Sequence, residues 1–85
     1  MRYEVWKWTL DDMTQYDDDY GEGAYERDSQ HPGCYASVIQ YGTLVKETDD
    51  EIEATKICGD VFQTNSGFLS GDVAVWDNVE HFWFN

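Results

Sequence analysis

Positive charge is the scarcest commodity in this chain. Five Lys and Arg residues (Arg2, Lys7, Arg27, Lys46 and Lys56) stand against eighteen Asp and Glu, for a net charge of −13. Phosphate contacts draw on Lys and Arg, so five cations scattered among acids exclude useful direct binding to nucleic acid. The same charge is repelled by anionic lipid. Cysteine is nearly as scarce: Cys34 and Cys58 do not make a disulfide framework, and free thiols are expected. No apolar run approaches the roughly 18 residues needed to span a bilayer. The opening "MRYEVWKWTLDD" lacks the apolar centre of a signal peptide, so a cytoplasmic location is expected.

Catalytic signatures are missing too. The sequence has no P-loop, HExxH, GxSxG or CxxC pattern. Gly21-Glu22-Gly23 lacks the third glycine of a dinucleotide fingerprint, and its acidic neighbours repel phosphate. Carboxylates that act as acid and base need to be set apart by environment in a pocket, whereas here they are many and expected to be exposed. His31-x-x-Cys34 has a usable zinc spacing, but Cys58 and His81 stand singly on separate elements. Asp17-x-Asp19 followed by Gly21 misses the later ligand positions of a calcium loop, leaving only an irregular site open. The expectation is a protein that is not an enzyme and carries no cofactor or metal.

What the chain does have is aromatic mass and acid. Four Trp, six Tyr and four Phe within a 41% hydrophobic composition suffice for a core, unlike disordered acidic chains. Eighty-five residues suit one domain, spanning 1–85, of modest stability. Residues 2–10, "RYEVWKWTL", read as a strand. Its alternation breaks between Val5 and Trp6, which calls for a bulge or for a strand covered on both faces. Residues 11–33 read mainly as loop; Met13, Tyr16 and Tyr20 have helical spacing, but Asp17–Asp19 suit a helix C-terminus poorly. Residues 34–41, "CYASVIQY", read as a second strand, with 43–47 as its return arm around "YGT".

The firmest local signal is a helix over about 49–63. Thr48-Asp49-Asp50-Glu51 matches a capping box with Thr48 as N-cap. Ala54, Ile57, Cys58, Val61 and Phe62 then form one apolar face. Residues 64–71 read as loop, and "DVAVWDNVEHFWFN" as a hairpin turning at Asp77-Asn78. These elements predict an α+β fold: a small antiparallel sheet of four to five strands with one helix packed on one face. Trp6, Trp8, Trp76, Trp83, Phe82 and Phe84 are expected in the core. An exposed member of that set would anchor an interface, and monomer and homodimer both fit.

The acids are unevenly spread: nine lie in residues 1–28, five in 47–53, and four over the rest. The densest stretch, "DDMTQYDDDYGEGAYERD", holds Asp11, Asp12, Asp17, Asp18, Asp19, Glu22, Glu26 and Asp28 with a single cation, Arg27. A solvated exterior of the kind found in salt-loving hosts would spread its acids further. Carboxylates at i and i+4 on a helix, or i and i+2 on a strand, lie roughly 6–7 Å apart, close to successive phosphates of one nucleic-acid strand. Such rows engage a Lys/Arg channel built for phosphate, and Tyr16, Tyr20 and Tyr25 between the acids would add amphipathic contacts. Asp49, Asp50, Glu51 and Glu53 make a second candidate patch.

In this respect the chain resembles the small phage- or plasmid-encoded inhibitors of nucleic-acid enzymes, the DNA-mimic antirestriction and anti-CRISPR proteins. The stretches that carry the resemblance are "DDMTQYDDDYGEGAYERD" and "ETDDEIE". It implies stoichiometric occlusion of the nucleic-acid or PAM-binding surface of a basic partner, a CRISPR effector or restriction enzyme in a bacterial cytoplasm. The alternatives are an acidic interaction module unrelated to mimicry, such as an antitoxin or adaptor, or a halophilic solvated domain.

Overall fold

The structure is a computed structural model, and it describes residues 1–65 and 72–84. Strands β1 (Tyr3–Trp8), β2 (Thr43–Thr48), β3 (Asp72–Asp77) and β4 (Phe82–Phe84) form one antiparallel sheet in the order β2-β1-β3-β4. Helices α1 (Leu10–Tyr20), α2 (Ala24–Asp28), α3 (Tyr35–Ile39) and α4 (Glu51–Asn65) accompany it, with a 3-10 turn at Pro32–Cys34 before α3. The class is α+β, as the sequence predicts, with several helices in place of one.

Strand β1 shows why its alternation is broken. It is an inner strand with helices over both faces. Tyr3 and Val5 turn to one side, where Val73, Val75 and, from α4, Ala54 and Cys58 complete a buried cluster. Trp8 turns to the other, where Tyr16, Ala24, Tyr25 and Val38 enclose it. The β1–β2 register also shifts between Val5 and Trp6, but the extra residue is Val45 of β2, and β1 pairs with β3 without a break; double burial and not a bulge in β1 accounts for its alternation.

The 11–33 region is not mainly loop. Thr9 caps α1 with a full capping box: its Oγ1 accepts from the Asp12 amide at 3.1 Å, and Asp12 Oδ2 accepts from the Thr9 amide at 2.9 Å. The misfit of acids at the helix end is relieved because two of them find donors. Asp17 Oδ1 accepts from the Tyr25 amide at 2.8 Å, and Asp19 accepts from the Tyr41 hydroxyl at 2.5 Å. Gly23, at φ 77°, supplies the left-handed turn from which α2 starts.

Residues 34–41 are not a strand either. Pro32 starts a 3-10 turn, and Cys34, Val38 and Tyr41 then meet the Trp8 cluster at i, i+4 and i+7. Trp8 Nε1 donates to the Val38 carbonyl at 3.0 Å, which fixes α3 over the sheet. Tertiary contact overrides the β-branched composition. Strand β2 therefore has no hairpin partner in 34–41 and pairs with β1. At the turn into β2, a Cβ on Gly42 would lie 2.6 Å from the Trp8 indole nitrogen, so only glycine fits.

Helix α4 begins later than the Thr48 capping box predicts. Thr48 is still in β2, opposite Tyr3, and cannot also leave the strand as an N-cap. Asp50 takes the role, its Oδ1 accepting from the amides of Ile52 at 2.9 Å and Glu53 at 3.4 Å. Ala54, Ile57, Cys58 and Val61 face the sheet as predicted, but Phe62 is 57% exposed. The last hairpin turns through 78–81 rather than at a two-residue Asp77-Asn78 turn. The buried Asp77 carboxylate accepts from the amides of Val79 at 2.8 Å and Glu80 at 3.1 Å, and so caps a wider turn. Arg2 clamps the same carboxylate with two hydrogen bonds, holding it below the usual aspartate range. Of the predicted 64–71 loop, Thr64 and Asn65 end α4, and 66–71 lie outside the described residues.

Trp8 and Trp76 are buried, and Trp6, Trp83 and Phe84 are half-buried. Phe82, expected in the core, is 43% exposed on the edge strand.

Candidate acidic interface

The exposed carboxylates of the first stretch gather over α1 and α2. Buried Tyr16 and half-buried Met13 define the inner side of α1. At 100° per residue, Asp11 and Asp18 fall together on the outer side, and Asp12 and Asp19 together on its flank. Each pair is spaced i, i+7, about 10 Å along the axis, and α1 carries no i, i+4 carboxylate pair. The phosphate-like i, i+4 row is thus absent from this helix. Glu22 in the α1–α2 turn and Glu26 on α2 are exposed beside it.

The remaining acids of the stretch serve the fold. Asp12 caps α1 and Asp17 holds the start of α2, as above. Half-buried Asp28 accepts from Arg27 Nε and from the Tyr16 hydroxyl, both at 2.8 Å. Arg27 and then Tyr16 hold its carboxyl below the usual aspartate range.

The tyrosines correct the sequence reading most sharply. Tyr16 and Tyr25, expected as surface contacts, are 1% and 6% exposed and belong to the core around Trp8. Only Tyr20 of the three is exposed, its ring stacked obliquely on Tyr16 at 4.5 Å. Four tyrosine hydroxyls donate to carboxylates: Tyr16 to Asp28, Tyr25 to Asp72 at 3.1 Å, Tyr41 to Asp19 at 2.5 Å, and Tyr35 to Glu4. Burial first, then the adjacent carboxylate, pushes the hydroxyls of Tyr16, Tyr25 and Tyr35 far above the usual tyrosine value. The bond to Asp19 pushes Tyr41 up to about 12.

Glu4 and Asp72 were not singled out by sequence, because their partners lie 31 and 47 residues away. Glu4 is a small network in itself. Burial raises its carboxyl, but donors from Tyr35, Asn78 and Trp6 more than offset this and hold it below the usual glutamate value.

The second acidic patch is elsewhere. Asp49 and Asp50 follow Thr48, which pairs with Tyr3, and Glu51 and Glu53 open α4. Helix α1 starts just past Trp8, at the other end of β1, and packs on the other face. The two patches therefore lie on opposite faces and at opposite ends of the central strand. All four residues of the second patch are exposed, although Asp49 accepts from the Arg2 amide at 2.9 Å and Asp50 caps α4.

Among the described residues no three His, Cys, Asp or Glu side chains come together in a way that could hold a metal ion. Cys34 and Cys58 are free, and burial pushes the Cys58 thiol up. Among the described residues no helix is long and apolar enough to cross a membrane. Compared with protein-family models, curated proteins and solved structures, the chain matches none.

Proposed function

We propose that this chain is a non-catalytic inhibitor whose α1–α2 face occludes the positively charged nucleic-acid-binding surface of a defence protein, a CRISPR effector or restriction enzyme. The observation that carries the reading is the division of labour among the acids. Asp12, Asp17 and Asp28 are consumed by the fold, while Asp11, Asp18, Glu22 and Glu26 stand exposed on one side of it. Their one cationic neighbour in sequence, Arg27, is turned onto Asp28.

Like charges concentrated without neutralisation destabilise a small fold, and are repaid when an opposite field meets them. The spacing on α1 favours recognition by field over carboxylate-for-phosphate matching. A partner lying flat on α1–α2 does not reach the patch at the start of α4.

The test is a tagged pull-down from bacterial lysate, eluted first with a salt gradient and then with competing duplex DNA. A nucleic-acid enzyme released by DNA, with affinity falling steeply in salt, is the expected result. Retention of the same partner by a chain carrying Asp18→Asn, Glu22→Gln and Glu26→Gln would overturn the assignment of the face. A partner indifferent to DNA would overturn the mimicry.

A further inference from the structure

We propose that the Tyr20 ring, at the end of α1, is a platform on which the basic partner lays an arginine guanidinium, with Asp19 as its carboxylate. This deepens the docking reading and rests on it for the partner, whose basic surface supplies the arginine.

The ring is exposed and yet held. Tyr20 is 49% exposed, the one exposed tyrosine of the six. One of its faces lies on Tyr16, with centroids 4.5 Å apart and planes 31° from parallel. Tyr16 is itself buried, and its hydroxyl is tied to Asp28 at 2.8 Å. Tyr41 meets both rings edge-on, at 79° to Tyr20 and 82° to Tyr16, with centroids 6.4 and 5.3 Å away. With one face covered and one edge abutted, the ring turns its other face to water. An aromatic braced in this way loses little side-chain entropy on binding, as interface anchors do.

A carboxylate is fixed beside it. Asp19 is exposed; its Oδ2 accepts from the Tyr41 hydroxyl at 2.5 Å and its Oδ1 from Gln15 Nε2 at 3.2 Å. Both donors are neutral, so the charge stands, and each oxygen keeps a further lone pair. No cation of this chain fills the place, since the ion pairs among the described residues are Arg2 with Asp77 and Arg27 with Asp28.

Ring face and carboxylate together select the group. A nucleic-acid base stacks on such a ring, but its phosphates meet a chain of net charge −13. A neutral apolar side chain strips water from Asp19 and returns nothing for it. Lysine answers the charge as a compact, strongly hydrated ammonium. Guanidinium is planar and weakly hydrated, stacks on an aromatic face and still offers N–H donors at its edge to a carboxylate. The summed field of the acids does not tell the two cations apart; the Tyr20 ring does.

The test uses the chain without its partner. It is titrated at about 50 mM salt with two peptides of equal charge, acetyl-tetra-arginine amide and acetyl-tetra-lysine amide, following the tyrosine ring signals by NMR. Tetra-arginine is expected to bind about fivefold more tightly, with Tyr20 moving most and the arginine δ-methylene protons shifted upfield by the ring. Tyr20→Leu is expected to reduce that ratio to below about twofold, whereas Tyr20→Phe, which keeps the ring, retains it. Asp19→Asn is expected to lower the ratio about twofold. Equal affinity of the two peptides for the parent chain, a ratio unchanged in Tyr20→Leu or in Asp19→Asn, or no saturable shift by about 10 mM peptide would overturn the proposal. Release of the partner by duplex DNA tests the docking face itself, so failure of the platform and failure of the face are read separately.

Discussion

The two faces of the sheet solve the same problem with different chemistry. On one, the fifteen-residue α4 lays Ala54 and Cys58 on Val5, Val73 and Val75, an aliphatic contact between two regular elements. On the other, one eleven-residue helix and two of five residues roof Trp8, each of them shorter than α4. Helices of five residues do not persist in water on their own. What fixes them is specific bonding: Trp8 to the Val38 carbonyl, Asp17 to the Tyr25 amide, and tyrosine hydroxyls to carboxylates. A long amphipathic helix can be placed by non-directional burial alone, whereas short ones have to be pinned. The crowding of acids and tyrosines in residues 13–28 is in part the pinning.

The strongest way to break the comparison is to remove the side chain on which the pinned face converges. Trp8→Ala is expected to cost about 3–5 kcal/mol in urea unfolding, against about 2 kcal/mol for Val75→Ala on the aliphatic face. Equal costs would mean that the two faces are not organised differently.

Alkali should act on the same side. The hydroxyls of Tyr16, Tyr25, Tyr35 and Tyr41 all titrate higher in the fold than in the unfolded chain. Their protonated forms therefore stabilise the fold fully below pH ~10, and that contribution is lost as pH rises through the folded values. Tyr41 is the first of them, at about 12. Tyr3, on the α4 face, is raised in the same direction chiefly by burial. The urea midpoint should decline steadily above pH 10, where these hydroxyls ionise in the unfolded chain but not yet in the fold, and a midpoint unchanged from pH 10 to 12 would contradict the pinning account.

The finest contrast is between sequence neighbours. Asp17→Ala, which frees the Tyr25 amide, should cost about 1 kcal/mol. Asp18→Ala, at an exposed position, should stay within about 0.5 kcal/mol of the parent, yet it is Asp18 whose loss should weaken the docking. Thermal unfolding and partner titration of the two variants, side by side, separate the roles.

Sequence made one face legible and hid the other, for the same physical reason. The period of Ala54, Ile57, Cys58 and Val61 is a local signal, and it located α4 to within two residues at its start; the broken parity at Val5–Trp6 likewise announced a strand covered on both sides. The short helices carry no such signal, because each is specified by a residue far along the chain. Nothing near Val38 says that the Trp8 indole will take its carbonyl, and nothing near Tyr25 points to Asp72. Among the acids, the exposed Asp18 and the structural Asp17 are chemically identical in sequence. Only the direction of the side chain on α1 divides them. The Thr9-x-x-Asp12 cap carries Asp where the usual capping box has Glu or Gln, and the misfit of Asp17–Asp19 at a helix end outweighs the helical spacing of Met13, Tyr16 and Tyr20 unless their distant donors are known.

The central position of β1 carries a consequence for how the molecule is made. It is synthesised before both of its neighbours in the sheet, residues 43–48 and 72–77. Both ladders close over long intervening stretches, a topology of high contact order and slow folding. Throughout synthesis the aromatic "RYEVWKWTL" waits with both edges unpaired, the configuration most open to pairing with another chain. The carboxylates that emerge directly behind it, from Asp11 to Asp19, give each nascent chain a repulsive flank during that interval. The same charge that marks the finished surface thus keeps unfinished copies apart.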